Sequence, residues 1–260
     1  MERAQKKIPG IIGGMGPLAH TVFERILIEQ NAKRGAKTDQ DHPLWFLISA
    51  TNIPNRTQSL AGEKENCAPL LVRYGRLLES AGVDFLIIPC NTVHAFYAQV
   101  QSELQIPWIH LIDCTTQFLA EKYPNARKIG IVGTDGTLQA SLYQNSLVRE
   151  GFSPLSFELD SELQKRVMDT IYHPDWGIKA TGSGISAPAR ENLQMVVDYL
   201  VKQEAEIVIA GCTELSVGFG EIGKLALPWI DPLEIIANVT LDLTFGYRSL
   251  PIRTHLGKNT

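Results

Sequence analysis

The chain has no run of apolar residues near the roughly 20 needed to cross a membrane. Its opening stretch, Met1 to Pro9, is charged and polar and lacks the apolar core of a secretion signal. Neither sign of charge is in large excess: 24 Lys and Arg stand against 28 Asp and Glu, for a net charge of −4 and a pI near 5.9. That balance gives no basic face for nucleic acid or for an anionic membrane surface, and a small molecule is the expected partner. Cysteine is scarce. Without a secretion signal, Cys67, Cys90, Cys114 and Cys212 read as reduced thiols rather than a disulfide framework, and a cytoplasmic location is expected. With 44% hydrophobic and 20% charged residues in 260, an ordinary globular core of one large or two smaller domains is expected.

What the chain does have is repetition. Phe85-Leu-Ile-Ile-Pro-Cys90-Asn-Thr-Val-His94 and Ile207-Val-Ile-Ala-Gly-Cys212-Thr-Glu214 are each a short apolar run ending in one cysteine and then in residues that cap helices. Such runs predict buried strands, so each cysteine is placed at a strand-to-helix turn, on the edge where open α/β sheets bind ligands. Other landmarks recur at nearly the same offset. Gly10-Ile-Ile-Gly13-Gly-Met-Gly16 and Gly130-Ile-Val-Gly133-Thr-Asp-Gly136 stand 120 residues apart, Cys90 and Cys212 stand 122 apart, and Ile106-Pro-Trp-Ile109 returns as Leu227-Pro-Trp-Ile230 after 121. A doubled chain would bring its two cysteines together across a pseudo-two-fold cleft. Such a pair can approach one carbon from opposite sides.

Taken in order, strands are predicted at residues 8–12, 45–50, 85–90, 108–112, 128–132, 154–159, before Cys212 and near 229, with helices between them and a last helix ending near Phe245. The polar tail from Gly246 is expected to be disordered. Gly14-Met-Gly16-Pro-Leu-Ala19 fits the dinucleotide pattern G-x-G-x-x-A. However, the second strand ends in Thr51-Asn52 with no carboxylate for a ribose, so a tight turn offering backbone N–H groups to an anion is preferred. Arg56, at the carboxyl end of that strand, is either a surface arginine or a two-pronged grip on a carboxylate. Cys90 and His94 stand one helical turn apart, as a metal pair, a thiol with its base, or a histidine that only orders the turn. A zinc site would need more ligands than stand nearby, so no metal is expected. Cys67 and Cys114 have no counterparts and read as structural. The Gly- and Pro-rich segment from Tyr172 to Gly184 is the candidate mobile flap.

Gly13-Gly-Met-Gly-Pro17, Pro89-Cys-Asn-Thr-Val-His94 and Gly211-Cys-Thr-Glu214, in this order, resemble the aspartate racemases of the aspartate/glutamate/hydantoin racemase superfamily, over about residues 8–245. The resemblance implies an α/β fold of two pseudo-symmetric Rossmann-like domains, each a mainly parallel sheet flanked by helices, with the active site between them. It also implies that the strand-helix element after each cysteine helix packs in the opposite domain. That places residues 1–105 with 227–260 in one domain and 106–226 in the other. A homodimer is implied, as is catalysis without pyridoxal phosphate or any other cofactor.

By the same resemblance Cys90 and Cys212 are the catalytic thiols, Arg56 binds a substrate carboxylate and Lys179 is the flap lysine. Met15, Gly16, Asn52, Asn91, Thr92, Thr134, Thr137, Thr213 and Glu214 are expected to line the substrate. The implied reaction interconverts L- and D-aspartate: one thiolate removes the α-proton while the opposite thiol returns one to the other face. A helix N-terminus beside each sulfur would favour the thiolate. A glutamate or broad-specificity racemase, a hydantoin racemase or a thiol-dependent decarboxylase would share the scaffold. A non-catalytic small-acid sensor or a cysteine hydrolase built on Cys90 and His94 are the readings from other classes.

Overall fold

The computed structural model describes residues 6–251. The first unit runs β1 (Pro9–Gly13), α1 (Pro17–Lys33), β2 (Phe46–Ser49), α2 (Arg56–Leu60), α3 (Ala68–Ser80), β3 (Phe85–Ile87) and α4 (Tyr97–Gln101), followed by α5 (Leu111–Lys122). The second unit runs β4 (Lys128–Gly133), α6 (Asp135–Gln139), α7 (Leu142–Arg149), β5 (Ser153–Leu155), α8 (Glu162–Tyr172), α9 (Ile178–Thr181), α10 (Ala187–Lys202), β6 (Ile207–Gly211), α11 (Thr213–Ile222), β7 (Trp229–Ile230) and α12 (Pro232–Thr244). Helix starts follow local rules. Proline occupies the first turn of α1, α3, α10 and α12, where its missing N–H costs nothing, and Asn55, Thr134, Ser161, Ser186 and Asp231 accept from the orphan N–H groups of theirs.

Both sheets are parallel and share one plan. The first has the order β2-β1-β3, extended by a single bridge from Leu86 to Trp108; the second has the order β5-β4-β6-β7. Trp108 therefore stands where Trp229 stands in the other unit, as the sequence repeat requires. Alternate strand residues point to opposite faces. Ile11, Phe85 and Ile87 join Ile129, Ile131, Ile207 and Ile209 in one central core, together with Phe23 of α1 and apolar residues of α5, α7 and α12. Ile12, Leu86 and Ile88 face an outer core against α3, and Val132, Val208 and Ala210 face another against α8 and α10. The central core is common to both units and holds them together.

The crossing of elements between units differs from expectation. The strand at Trp108 does not cross: Leu86 N–H donates to Pro107 O at 2.8 Å and Ile109 N–H to Leu86 O at 2.9 Å, and β7 likewise stays beside β6. The helices cross. α5 packs on α7 and α12, and α12 packs on α1, because their apolar faces fill the central core while the strands' backbone groups need their own sheet. The division at residues 105/106 and 226/227 thus cuts ahead of two strands that remain with the preceding unit. Helix α5 also begins at Leu111, so Ile112 is helical. The predicted single helix up to Arg149 is two, broken at Ser141, whose φ of 49° is left-handed. Beyond Pro251 the polar tail lies outside the described residues.

Candidate active site

In each sheet the strand order reverses beside the first strand, between β1 and β3 and between β4 and β6. Open parallel sheets bind ligands at such switch points, outside the carboxyl ends of the strands. Cys90 follows β3 and Cys212 follows β6. The two edges face each other: Thr92, past β3, is hydrogen-bonded to Thr134 (2.8 Å) and Thr137 (3.0 Å), past β4, and those two hydroxyls lie 3.1 Å apart. All three are buried.

On the first edge Cys90 is 5% exposed and Asn91 1%. Tyr143 of α7 donates to Asn91 Oδ1 at 2.6 Å, tying the turn after Cys90 to the other unit, while Asn91 Nδ2 is buried without a partner. Arg56, the first residue of α2, is buried beside Met15. Its Nη1 donates to Pro54 O (3.1 Å) and its Nη2 to Met15 O (3.2 Å), and its buried Nε–H has no partner. Burial opposes the guanidinium charge, but negative potential from Cys90, Tyr172, Glu214 and Cys67 outweighs it and raises its pKa further. An orphaned buried donor on a fixed cation is suited to a ligand carboxylate.

On the second edge Cys212, 6% exposed, caps α11 and its Sγ donates to Glu214 Oε2 at 3.1 Å. Burial raises the Cys212 pKa well above a thiol's ordinary value, and the adjacent Glu214 carboxylate adds to this. The expected lowering by a helix N-terminus is overridden here, so Cys212 holds its proton. Glu214 Oε1 accepts from Lys179 Nζ. Burial works against the Glu214 charge, but the Lys179 ammonium and the Cys212 bond hold its carboxyl below the usual range. Lys179 in turn is raised by Glu214 against its own desolvation. Tyr172 lies between the edges. Burial, then Cys212 and Glu214, push its phenol up, and Cys90 adds to this, so its hydroxyl is within electrostatic reach of both cysteines. The segment after Tyr172 is fastened by Ser186 Oγ donating to Trp176 O at 2.9 Å and by stacking of His173 on Trp176 at 4.2 Å.

Several of the anticipated residues are linked to one another here: Thr92 with Thr134 and Thr137, Arg56 with Met15, and Lys179, Cys212 and Thr213 with Glu214. A Cβ on Gly16 would lie 2.9 Å from Glu214 Oε1 and 3.0 Å from Lys179 Nζ, so a larger residue there would have to displace that ion pair. Asn52 is not among them. It is exposed, and its Oδ1 accepts from Tyr74 (2.8 Å), because the turn after β2 buries Ile53 and swings Asn52 outward. The anion turn after β1 also differs. Gly14 N–H donates to His20 Nδ1 at 3.0 Å, and Gly14, at φ 87°, abuts Ala50 closely, which uses up the donor and closes the space.

His94 is spent as well. Leu111 N–H donates to its Nε2 (3.1 Å), which leaves the proton on Nδ1 to donate to Cys90 O (2.8 Å), and burial depresses its pKa to about 3. By taking the Cys90 carbonyl it displaces the α-type bond there, and His94 N–H turns instead to Asn91 O at 3.0 Å. The helix after Cys90 is therefore a 3-10 turn, Thr92–Phe96. Neither nitrogen is left for a metal or for Cys90, and among the described residues no group of three or more His, Cys, Asp or Glu could hold a metal. Three neighbours were not anticipated: Tyr143, Tyr172 and Thr57, whose Oγ1 is buried without a partner beside Gly136. Tyr143 shares a helix face with Leu147, so in sequence it reads as core. Tyr172 could have been suspected, since it closes a helix just ahead of the Lys179 loop.

The description Asp/Glu/hydantoin racemase matches residues 12–240. The chain belongs to the Asp/Glu/hydantoin racemase family. It is 26% identical over 248 residues to the broad specificity amino-acid racemase RacX of Bacillus subtilis, covering 92% of this chain and 99% of that one. Its fold superposes on the Picrophilus torridus aspartate racemase with a TM-score of 0.77 at 25% identity, covering 94% and 96% of the two chains. It superposes on the glutamate racemase of Francisella tularensis, solved with D-glutamate, with a TM-score of 0.66 at 19% identity, covering 95% and 84%.

An amino-acid racemase has to remove the α-proton and return one to the opposite face. In this racemase the candidate proton carriers differ in state. Lys179 and Glu214 are ionised against each other, Tyr172 is a neutral phenol and Cys212 is a thiol. Cys212 and Glu214 are buried, while Tyr172 and Lys179 keep part of their surface exposed. Two surface cavities, of about 490 Å³ beside α5 and α12 and 610 Å³ between α1 and α11, are lined by neither cysteine. Among the described residues no helix is long and apolar enough to cross a membrane.

Proposed function

We propose that the chain interconverts L- and D-aspartate, with Cys90 and Cys212 as the acid–base pair. The observation that carries this reading is that the edges bearing the two cysteines are bonded together, Thr92 past Cys90 to Thr134 (2.8 Å) and Thr137 (3.0 Å) of the second unit, with Tyr172 acting electrostatically on both cysteines. Cys212 holds its proton, which leaves Cys90 to act first as the base. The Cys90 sulfur takes the α-proton, and the electron pair left on the α-carbon is shared with the α-carboxylate. The Cys212 thiol then delivers its proton to the opposite face. Cys90 ends as thiol and Cys212 as thiolate, which is the starting state for the other enantiomer. Arg56, with its open Nε–H, would hold one carboxylate of the substrate. The Thr92, Thr134 and Thr137 hydroxyls are donors for the charge that develops.

The test is α-hydrogen exchange in deuterated water together with chiral chromatography of the product. Cys90→Ser and Cys212→Ser should each lower racemisation of aspartate by about 10²- to 10⁴-fold, the range for a lost general acid or base. Parent rates in both variants would dismiss the scheme. A second reading, broad specificity, is favoured by the engagement of Lys179 with Glu214, which leaves Arg56, among the described residues, as the cation for the substrate. It agrees with the likeness to RacX. A panel of acidic and neutral amino acids separates the two.

A further inference from the structure

We propose that Glu214 is an internal stand-in for a substrate carboxylate, and that its pairing with Lys179 sets which side-chain charge the site accepts. The inference rests on the racemase reading and deepens it. Both oxygens of Glu214 are committed: Oε1 accepts from Lys179 Nζ, and Oε2 accepts from Cys212 Sγ at 3.1 Å and Thr213 Oγ1 at 3.4 Å. The carboxylate is 3% exposed, and the pair is seated against Gly16, where an added Cβ would press on it. The other cation, Arg56, has two nitrogens tied to backbone carbonyls and a buried Nε–H with no partner. With Cys90 as thiolate the site therefore holds two cations and two anions, and among the described residues the Arg56 Nε–H is the cationic donor left open.

The pairing of these charges then decides selectivity. With Arg56, Lys179 and Glu214 ionised and Cys90 as the thiolate base, the four charges sum to zero, so net charge by itself favours neither kind of substrate. An amino acid with a neutral side chain carries no net charge, and aspartate carries −1. As an acidic substrate enters, its side-chain carboxylate competes with Glu214 for Lys179; a neutral substrate leaves that pair closed and uses Arg56 alone. Glu214 thus makes the site tolerant of neutral side chains, and Lys179 makes it attractive to acidic ones. Removing either charge should move the preference in opposite directions.

The experiment compares kcat/KM for aspartate and alanine in the parent, Glu214→Gln and Lys179→Gln. Any effect of Glu214 on the Cys212 proton acts on both substrates and cancels in their ratio. Glu214→Gln should raise the aspartate-to-alanine ratio at least about tenfold, and Lys179→Gln should lower it by at least about tenfold, the low end for close charge pairs in a desolvated site. If a variant turns over neither substrate, the same ratio is read from dissociation constants by calorimetry. Ratios that stay within threefold of the parent, or that move the same way in both variants, overturn the assignment of Glu214. Absence of α-hydrogen exchange by the parent with any amino acid fails the racemase reading itself, and this one with it.

Discussion

Replacing Tyr143 by Phe removes one oxygen and leaves the ring, so packing is kept while the hydroxyl's bonds to Asn91 and Thr115 are lost. Tyr143 is fully buried and donates at 2.6 Å to an Asn91 Oδ1 that is equally out of water. Asn91 Nδ2 already lacks a partner, so in Tyr143→Phe the whole amide sits buried with neither end satisfied. An orphaned buried acceptor costs about 1–3 kcal/mol. Unfolding entropy of about 2.1 cal/mol/K per residue makes each kcal/mol worth about 2 °C in a chain of this length, so Tm should fall by about 2–6 °C. Asn91 directly follows Cys90, and a loosened turn should also lower kcat, by roughly tenfold for a displacement of a fraction of an ångström. Thermal melts and racemisation rates on Tyr143→Phe, Asn91→Ala and the double variant give both readouts. The double variant should cost less than the two single costs together by about 1 kcal/mol, because the bond is lost only once. An unchanged Tm with additive costs would refute the claim that this bond holds the Cys90 turn to the second unit.

Three further outcomes follow from the same structure. His94 has a folded pKa of about 3 against 6.5 unfolded, so the stability it contributes is complete above pH 6.5 and is lost as pH falls towards 3, up to roughly 5 kcal/mol. In urea melts across that window, His94→Gln should be less stable than the parent near pH 7 yet show a shallower loss as pH falls. Asp231 is shifted the other way, up to about 6, mainly by burial. Its stabilising contribution is present below pH 3.8 and is lost as pH rises through 6. Asp231→Asn should therefore be more stable than the parent at pH 7.5, by up to about 3 kcal/mol, with the advantage gone near pH 4. A Cβ on Gly136 would meet Thr57 Oγ1 and Thr92 Cγ2 at 2.8 Å and the Thr57 backbone at 3.0 Å, wedging the two edges apart. Gly136→Ala should cost about 1–3 kcal/mol and lower racemisation of whichever substrate is turned over, measured by melts and polarimetry.

The fold and the cysteine pair were legible because they depend on short-range patterns that the chain states twice. Apolar runs ending in Cys90 and Cys212, glycine turns at residues 13–16 and 133–136, and proline at helix starts each act within a few residues, and their common offset announces the duplication. What escaped the sequence depends on contacts between distant residues. Nothing near Trp108 in the chain says that its strand stays with β3 while α5 crosses over; the central core decides that, by demanding apolar helix faces from both units. Nothing near Asn52 says that Ile53 takes the buried place, or that His20 consumes the Gly14 donor. The helix rule predicted lower pKa values beside both sulfurs. At Cys212 the rule loses, since desolvation and a carboxylate two residues on outweigh a helix end.

Sequence alone therefore determined the two parallel sheets, the doubled plan and the two cysteines at matching turns, because hydrophobic period and turn chemistry are local. Only the tertiary structure decided the protonation of Cys212, the pairing of Lys179 with Glu214 and the tether from Tyr143 to Asn91. Those are set by burial and by charges and hydrogen bonds that the fold brings together, most of them from tens of residues away, where a neighbour's charge counts for more than a residue's own type.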